Sequence, residues 1–332
     1  MNVQPTGAAV PTSGLAAPDA GVRRRGPFVA GDLVQLTDAK GRHHTFPLVE
    51  GKQFHTTQGG LEHDELIGGP EGVTVRSTGG AEYLALRPLY TDFVLSMKRG
   101  ATIVYPKDAA MIVGQADIFP GAMVVEAGVG SGALSIALLQ AIGPTGQLHS
   151  FEIRDDFAKI SATNVAKFFG GQAPDAWDLT VADLSDGLPA ARADGRVGQV
   201  DRVVLDMLAP WECVVACADA LLPGGIFCAY VATTTQLSRT VETLRSTGRF
   251  AEPVAFETLL RTWHVDGLAV RPDHRMQAHT GFVLVARRLA DGTVAPVRRR
   301  RPSKGAHGPD WNAPVEPFEV VQVVEVVEVD PG

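Results

Sequence analysis

The chain is poor in cysteine, in aromatic residues and in long apolar runs. Three cysteines in 332 residues exclude a fully paired disulfide framework. Such usage points to a reducing compartment, so a cytoplasmic protein is expected. Cys213 and Cys217 stand four apart, on one face of an expected helix. No further ligands surround them, so they read as packed thiols rather than half of a zinc site. The nine histidines show no His-x-x-x-His spacing, and no metal is expected. No apolar run reaches the roughly 18 residues that a membrane span needs. The first residues carry no apolar core of a secretory leader. No membrane partner is expected. Positive charge is also in deficit: the net charge is −7. Averaged over the chain, that weighs against a nucleic-acid binder. The charge is segregated, however. Arg298 to Arg301 precede the acidic stretch "EPFEVVQVVEVVEVD", so basic patches can coexist with an acidic total.

What is present falls into four stretches. Residues 1–26, rich in Ala, Pro and Gly, read as a disordered tail. Residues 27–98 read as a small β-rich domain, with hairpins expected across Asp38-Ala39-Lys40-Gly41 and Ser77-Thr78-Gly79-Gly80. From 99 to 290 apolar runs alternate with helix-length segments: "MVVEAG", "QLHSFEI", "WDLTVAD", "DRVVLDM" and "GIFCAYV". That alternation predicts an α/β fold, a parallel sheet with helices on both faces. "HTGFVLVARRL" is its expected final strand. Residues 291–332 read as a linker and an acidic tail.

In "VVEAGVGSGALSIALL", residues 124–139, a buried strand runs into a glycine loop and then a helix. Glycines permit a sharp turn and a close backbone approach to a ligand. Amides at the helix N-terminus then face that ligand. Gly128, Gly130 and Ala133 also satisfy a relaxed dinucleotide fingerprint, and a ligand-free turn has the same look. Acids downstream narrow the choice. Glu152 ends the next strand, where a carboxylate can accept from two ribose hydroxyls, and Asp183 ends the third, suited to an adenine amino group. A Pro-Gly-Gly turn in "LLPGGIF" precedes the fifth strand.

Together these features resemble a class I S-adenosylmethionine-dependent methyltransferase, with a Rossmann-like seven-stranded sheet. More closely, "ATIVYPKDAAMIV", "FEIRDDFAKISATNV", "LDMLAPW" and "HRMQAHTGFVLVARR" resemble the bacterial and archaeal tRNA adenine-58 N1-methyltransferases. The resemblance covers about residues 27–290. It implies S-adenosylmethionine as cofactor, tRNA as partner and a homotetrameric assembly. It implies a cofactor site of Glu126, Gly128, Val129, Gly130, Ser131, Gly132, Ala133, Glu152, Arg154, Asp183 and Asp206.

The same resemblance implies catalytic roles for Asp206, Tyr105 and Tyr230. Adenine N1 has an in-plane lone pair, so no proton need leave before attack. Positive charge then develops on the ring. A carboxylate accepting from the N6 amino group offsets that charge. Asp206, at the end of "VVLD", is the candidate; the bland alternative is a helix cap. Tyr105 and Tyr230 could stack on or hydrogen-bond a flipped base, or simply pack. Lys107-Asp108 reads as a helix cap. "RTWHV" and "RPDHRMQAHTGF" read as late loops contacting tRNA or the site. Asp206-Met207-Leu208-Ala209-Pro210 departs from the Asn/Asp-Pro-Pro-aromatic pattern of exocyclic-amine enzymes. Cys213, expected inside a helix, is unsuited to the nucleophile that pyrimidine C5 enzymes need. Two rival readings stay open: a methyltransferase for protein carboxylates or a small molecule, and a non-catalytic tRNA-binding subunit.

Overall fold

A computed structural model describes residues 25–296, which form two compact units. The basic run and the acidic stretch lie outside the described residues, as does nearly all of the N-terminal tail.

The first unit comprises the described residues up to Arg87, with Phe169–Pro174. It holds β1 (Leu33–Asp38), β2 (His43–Pro47), β3 (Gln53–Thr56), β4 (Gly59–Glu62), β5 (Val73–Arg76) and β6 (Glu82–Leu86). One sheet has the order β2-β1-β6-β5, and β3 and β4 form a separate hairpin. Both expected hairpins, β1–β2 and β5–β6, are antiparallel pairs. Alternation explains β6: Tyr83 and Ala85 face inward while Glu82 and Leu84 face out. The inward set joins Phe28, Val34, Leu36, Leu48, Leu61 and Leu66 in one core.

The second unit begins at Pro88. Two helices, α1 (Tyr90–Ser96) and α2 (Pro106–Gln115), lead into β7 (Met123–Ala127) and α3 (Ala133–Ile142). Then follow β8 (Gln147–Glu152), α4 (Asp155–Phe168), β9 (Trp177–Val181), α5 (Leu184–Ala193), β10 (Val200–Leu205) and α6 (Val214–Ala220). The chain continues through β11 (Leu221–Val231), α7 (Thr234–Ser246), β12 (Val254–Phe256), β13 (Trp263–Asp266), β14 (Ala269–Pro272) and β15 (Phe282–Arg287). The seven-stranded sheet has the order β12-β15-β11-β10-β7-β8-β9. Pairs from β11 to β9 are parallel; β15 runs antiparallel to both of its neighbours. Helices α1 to α4 pack on one face and α5 to α7 on the other. Covered on both sides, central strands lose the polar alternation; four of the five residues of β7 are buried. Helix α4 shows the helical period instead, burying Ala158, Ser161, Val165 and Phe168.

Strand order reverses between β7 and β10. The chain winds outward from β7 to β9, then returns to the other side of β7. Open α/β sheets place their ligand crevice at this point, beyond the carboxyl ends of the strands. The Pro-Gly-Gly segment follows α6 directly and lies within β11, where the register with β10 shifts.

Candidate functional site

Three backbone bonds extend the parallel ladders past the named strands. Asp206 N donates to Ala127 O (2.9 Å), Gly128 N to Phe151 O (3.0 Å) and Ala182 N to Glu152 O (3.1 Å). They draw Gly128, Glu152, Asp183 and Asp206 to one edge of the sheet. Gly128 has φ +81°, and a Cβ there would lie 1.8 Å from Asp206 O. Gly130 (φ +54°) and Gly132 (φ +83°) are left-handed as well, and Gly132 forms the N-cap of α3. Only glycine meets these conditions without strain.

Side chains around the loop have distinct tasks. Glu152 is buried, and its carboxylate accepts from Gly130 N (2.9 Å) and Arg154 N (3.0 Å). It thus fixes the loop and retains lone pairs for a diol. Arg154 contributes its amide, whereas its guanidinium turns to Asp156 and lies over the Phe157 ring. Ser131 is buried; its hydroxyl accepts from Gly100 N (3.1 Å), tying the loop to the segment before α2. Val129 and Ala133 are buried packing residues. Asp183 caps α5, accepting from Ser185 N (2.8 Å) through one oxygen.

Glu126 lies below the loop with no exposed surface. It accepts from Ser135 Oγ (2.8 Å) and Ser150 Oγ (2.6 Å), and Trp177 Nε1 donates to Ser150 Oγ (2.8 Å). Burial pushes its carboxyl up to about 7; the serine hydroxyls oppose the rise and the Glu152 charge adds to it. Asp206 is also pushed up to about 7, first by burial, then by the Glu126 and Glu152 charges. Asp206 thus shares this edge with Glu152 and feels the Glu126 charge from below.

The Asp206 side chain makes no hydrogen bond among the described residues, and it keeps part of its surface open. It caps nothing: the next helical turn, Pro210–Cys213, starts from Ala209 and lacks a side-chain cap. Cys213 ends that turn and, like Cys217 in α6, is buried, with its thiol pushed up to about 12 by burial first.

One step past the Leu205–Ala229 pair, Tyr230 stands beside Asp206 on the neighbouring strand. Its hydroxyl donates to Asp108 Oδ2 (3.2 Å). Tyr105 is half-buried at the N-cap of α2. The expectation that Lys107-Asp108 caps a helix is overturned. Asp108 is wholly buried and accepts from Lys107 Nζ (2.8 Å), Thr280 Oγ1 (2.6 Å) and Thr258 Oγ1. The sequence reading did not single out Thr258 or Thr280, which lie 150 and 172 residues beyond Asp108; Thr258 is in no quoted stretch, and Thr280 sits unremarked within "RPDHRMQAHTGF". The late loops are corrected in part: Trp263–Asp266 and Ala269–Pro272 pair as an antiparallel hairpin, whereas residues 273–281 remain a loop between it and β15. A groove of about 620 Å³ opens beside Lys107, lined by Leu95, Met111, Thr258, Leu259 and Leu260. None of the acidic edge lines it, so its size gives it no claim to the chemistry.

A family described as the tRNA methyltransferase complex GCD14 subunit matches residues 86–271, and one described as TrmI-like N-terminal matches residues 26–75. The tRNA (adenine(58)-N(1))-methyltransferase TrmI of Thermus thermophilus is 32% identical over 257 residues, 76% of this chain and 95% of that protein. The chain belongs to the tRNA (adenine-58-N1)-methyltransferase family. Its fold is shared more widely. A crystal structure of a SAM-dependent O-methyltransferase from Thermotoga maritima is 29% identical with a TM-score of 0.71, covering 82% of this chain and 96% of that one. That of tRNA (m1A58) methyltransferase TrmI from Aquifex aeolicus is 24% identical with a TM-score of 0.65, covering 80% of this chain and all of that one. The two names differ in the acceptor atom, so fold alone leaves the acceptor open.

Proposed function

We propose that this protein transfers a methyl group from S-adenosylmethionine to N1 of adenine 58 in the T-loop of tRNA. Family membership supports the reaction. The observation that carries the site is the Asp206 carboxylate, unbonded at the switch point and backed by the bend at Gly128. The edge fits the cofactor on three counts. Its glycine loop admits close approach, Glu152 is set for a diol, and the clustered acids favour a cationic ligand. When bound, S-adenosylmethionine supplies an activated methyl group on a cationic sulfonium.

The residues of the chain do the rest by position and charge. Glu152 and the loop amides hold the cofactor, with Asp183 toward the adenine end. Glu126 acts from beneath, bracing β7, β8 and α3 through its two serines. Asp206 accepts from the N6 amino group of the target adenine and offsets the charge that grows as N1 attacks. Tyr230 and Tyr105 flank the extracted base. The T-loop is folded into the tRNA elbow, so that base must leave its stack first.

The reading extends to a cytoplasmic homotetramer. Supporting self-association is the β13–β14 hairpin, where Trp263, Val265, Leu268 and Val270 stand exposed. Light scattering on purified protein tests it; a monomer at micromolar concentration rejects it.

An oxygen acceptor on a protein or small molecule is the second reading, favoured by the name of the Thermotoga maritima protein. The deciding experiment offers labelled S-adenosylmethionine to bulk tRNA and to aged peptides, then maps the product. N1-methyladenosine at position 58 is expected. Label in peptides alone rejects the first reading.

A further inference from the structure

Lys107 and Asp108 form an ion pair with side chains 4% and 0% exposed. Burying two charges costs several kcal/mol per ion before their attraction and hydrogen bonds offset it. Helix α2 gains no cap from them. The pair is nonetheless saturated. Asp108 Oδ1 accepts from Lys107 Nζ and Thr258 Oγ1, and Oδ2 from Thr280 Oγ1 and Tyr230 OH. Lys107 Nζ spends its remaining protons on Thr258 O (2.9 Å) and Thr280 Oγ1 (2.6 Å). Helix α2, strand β11 and the loops holding Thr258 and Thr280 thus converge on one carboxylate, and of these partners Tyr230 reaches the catalytic edge.

We infer that Asp108 is a positioning residue for methyl transfer, acting through Tyr230. The inference rests on the proposed function. A phenol has one proton to donate, and it points to Asp108 Oδ2. The Tyr230 oxygen is then left as a pure acceptor, held at fixed azimuth beside Asp206. Gly281 closes the cage from the other side, since a Cβ there would lie 2.4 Å from the Tyr230 ring. Burial first, and then the charges of Asp108 and Asp206, raise the phenol above its usual range against an opposing contact from Thr280, so it stays neutral. Lys107, Thr258 and Thr280 keep Asp108 in place.

The test is a mutant cycle. Asp108→Ala alone would strand the Lys107 charge, so the whole pair is replaced by apolar residues of like volume, Lys107→Met with Asp108→Leu. Single-turnover methylation of tRNA is measured for wild type, Tyr230→Phe, the paired variant and their combination. Each of Tyr230→Phe and the paired variant should slow transfer by about tenfold, the scale of one hydrogen bond. The combination should be no slower than either, because both remove the same bond. Calorimetric affinity for S-adenosylhomocysteine should stay at the wild-type value throughout. Multiplying effects, near a hundredfold in the combination, would assign Asp108 a general structural role and overturn the inference. If the paired variant does not fold, Asp108→Asn with Lys107→Met enters the same cycle under the same criterion. Wild-type protein that leaves tRNA unmethylated overturns the proposed function, and this inference with it.

Discussion

Gly128 and Asp206 meet backbone to backbone: a methyl group on Gly128 would stand 1.8 Å from the Asp206 carbonyl oxygen. The glycine that bends the loop therefore also lets β10 deliver its terminal acid beside that loop. In the proposed reading, one contact couples the cofactor site to the base-reading site.

Gly128→Ala should damage both. It adds overpacking of about 1–3 kcal/mol to a left-handed backbone cost of about 1–2 kcal/mol. Unfolding free energy should fall by their sum, and cofactor binding by calorimetry should be lost. Gly114→Ala is the control. That position is exposed in α2, with nothing within 4 Å of the new Cβ. It should gain about 0.5–1 kcal/mol. Equal stability of the two variants would show that Asp206 tolerates displacement.

Glu152→Ala should weaken S-adenosylmethionine binding by about 1.5–3 kcal/mol, the scale of hydrogen bonds to a charged group. The structure adds a second cost, because the Glu152 carboxylate also holds Gly130 N. Glu152→Gln keeps one acceptor oxygen and should fall between alanine and wild type. Unchanged affinity in both would remove Glu152 from the site.

Asp206 and Glu126, each pushed up to about 7, give the site a pH signature. A carboxylate raised in the folded state favours folding when protonated. Its contribution is present below the usual carboxylate range and is lost as pH rises through about 7. A cationic ligand reverses that preference. Affinity for S-adenosylmethionine relative to S-adenosylhomocysteine, which lacks the sulfonium charge, should therefore rise as pH passes from about 6 to about 8. kcat/KM should decline below about 7, and kcat should hold to lower pH because the bound cation keeps Asp206 ionised. A flat affinity ratio across that range would mean the acids do not sense the sulfonium.

Sequence pattern made much of this legible, and each miss has its own physical cause. The glycine loop, Glu152, Asp183 and Asp206 each stand at or just past the carboxyl end of a strand, so local order marks them. Antiparallel β15 was visible as an apolar run; its partner β12, three residues long, was too short to show a period. Hairpin β13–β14 was hidden because its apolar residues face outward and its arginines suggested a loop. The Asp108 cage was invisible, since its threonines come from distant segments and only the folded sheet joins them. Glu126 looked like part of a ligand motif, yet tertiary packing places it beneath the loop among serines.

Asp206 should serve the transition state more than the ground state. Charge appears on adenine only as N1 attacks, so an acid beside N6 gains most of its interaction then. Asp206→Ala should leave tRNA affinity nearly intact, because most such contacts go to phosphates. Its kcat should fall by about 10²–10³, as for loss of one preorganised electrostatic group. Asp206→Asn separates two contributions. An amide still offers a carbonyl oxygen to the N6 amine but carries no charge. It also relieves the repulsion from Glu126 and Glu152, so the variant should fold at least as stably as wild type. If hydrogen bonding dominates, asparagine should retain more activity than alanine; if charge dominates, both should fall alike. Single-turnover rates at saturating tRNA decide between them. Near-wild-type turnover in both variants would reduce Asp206 to a structural residue and move the reading of the base elsewhere.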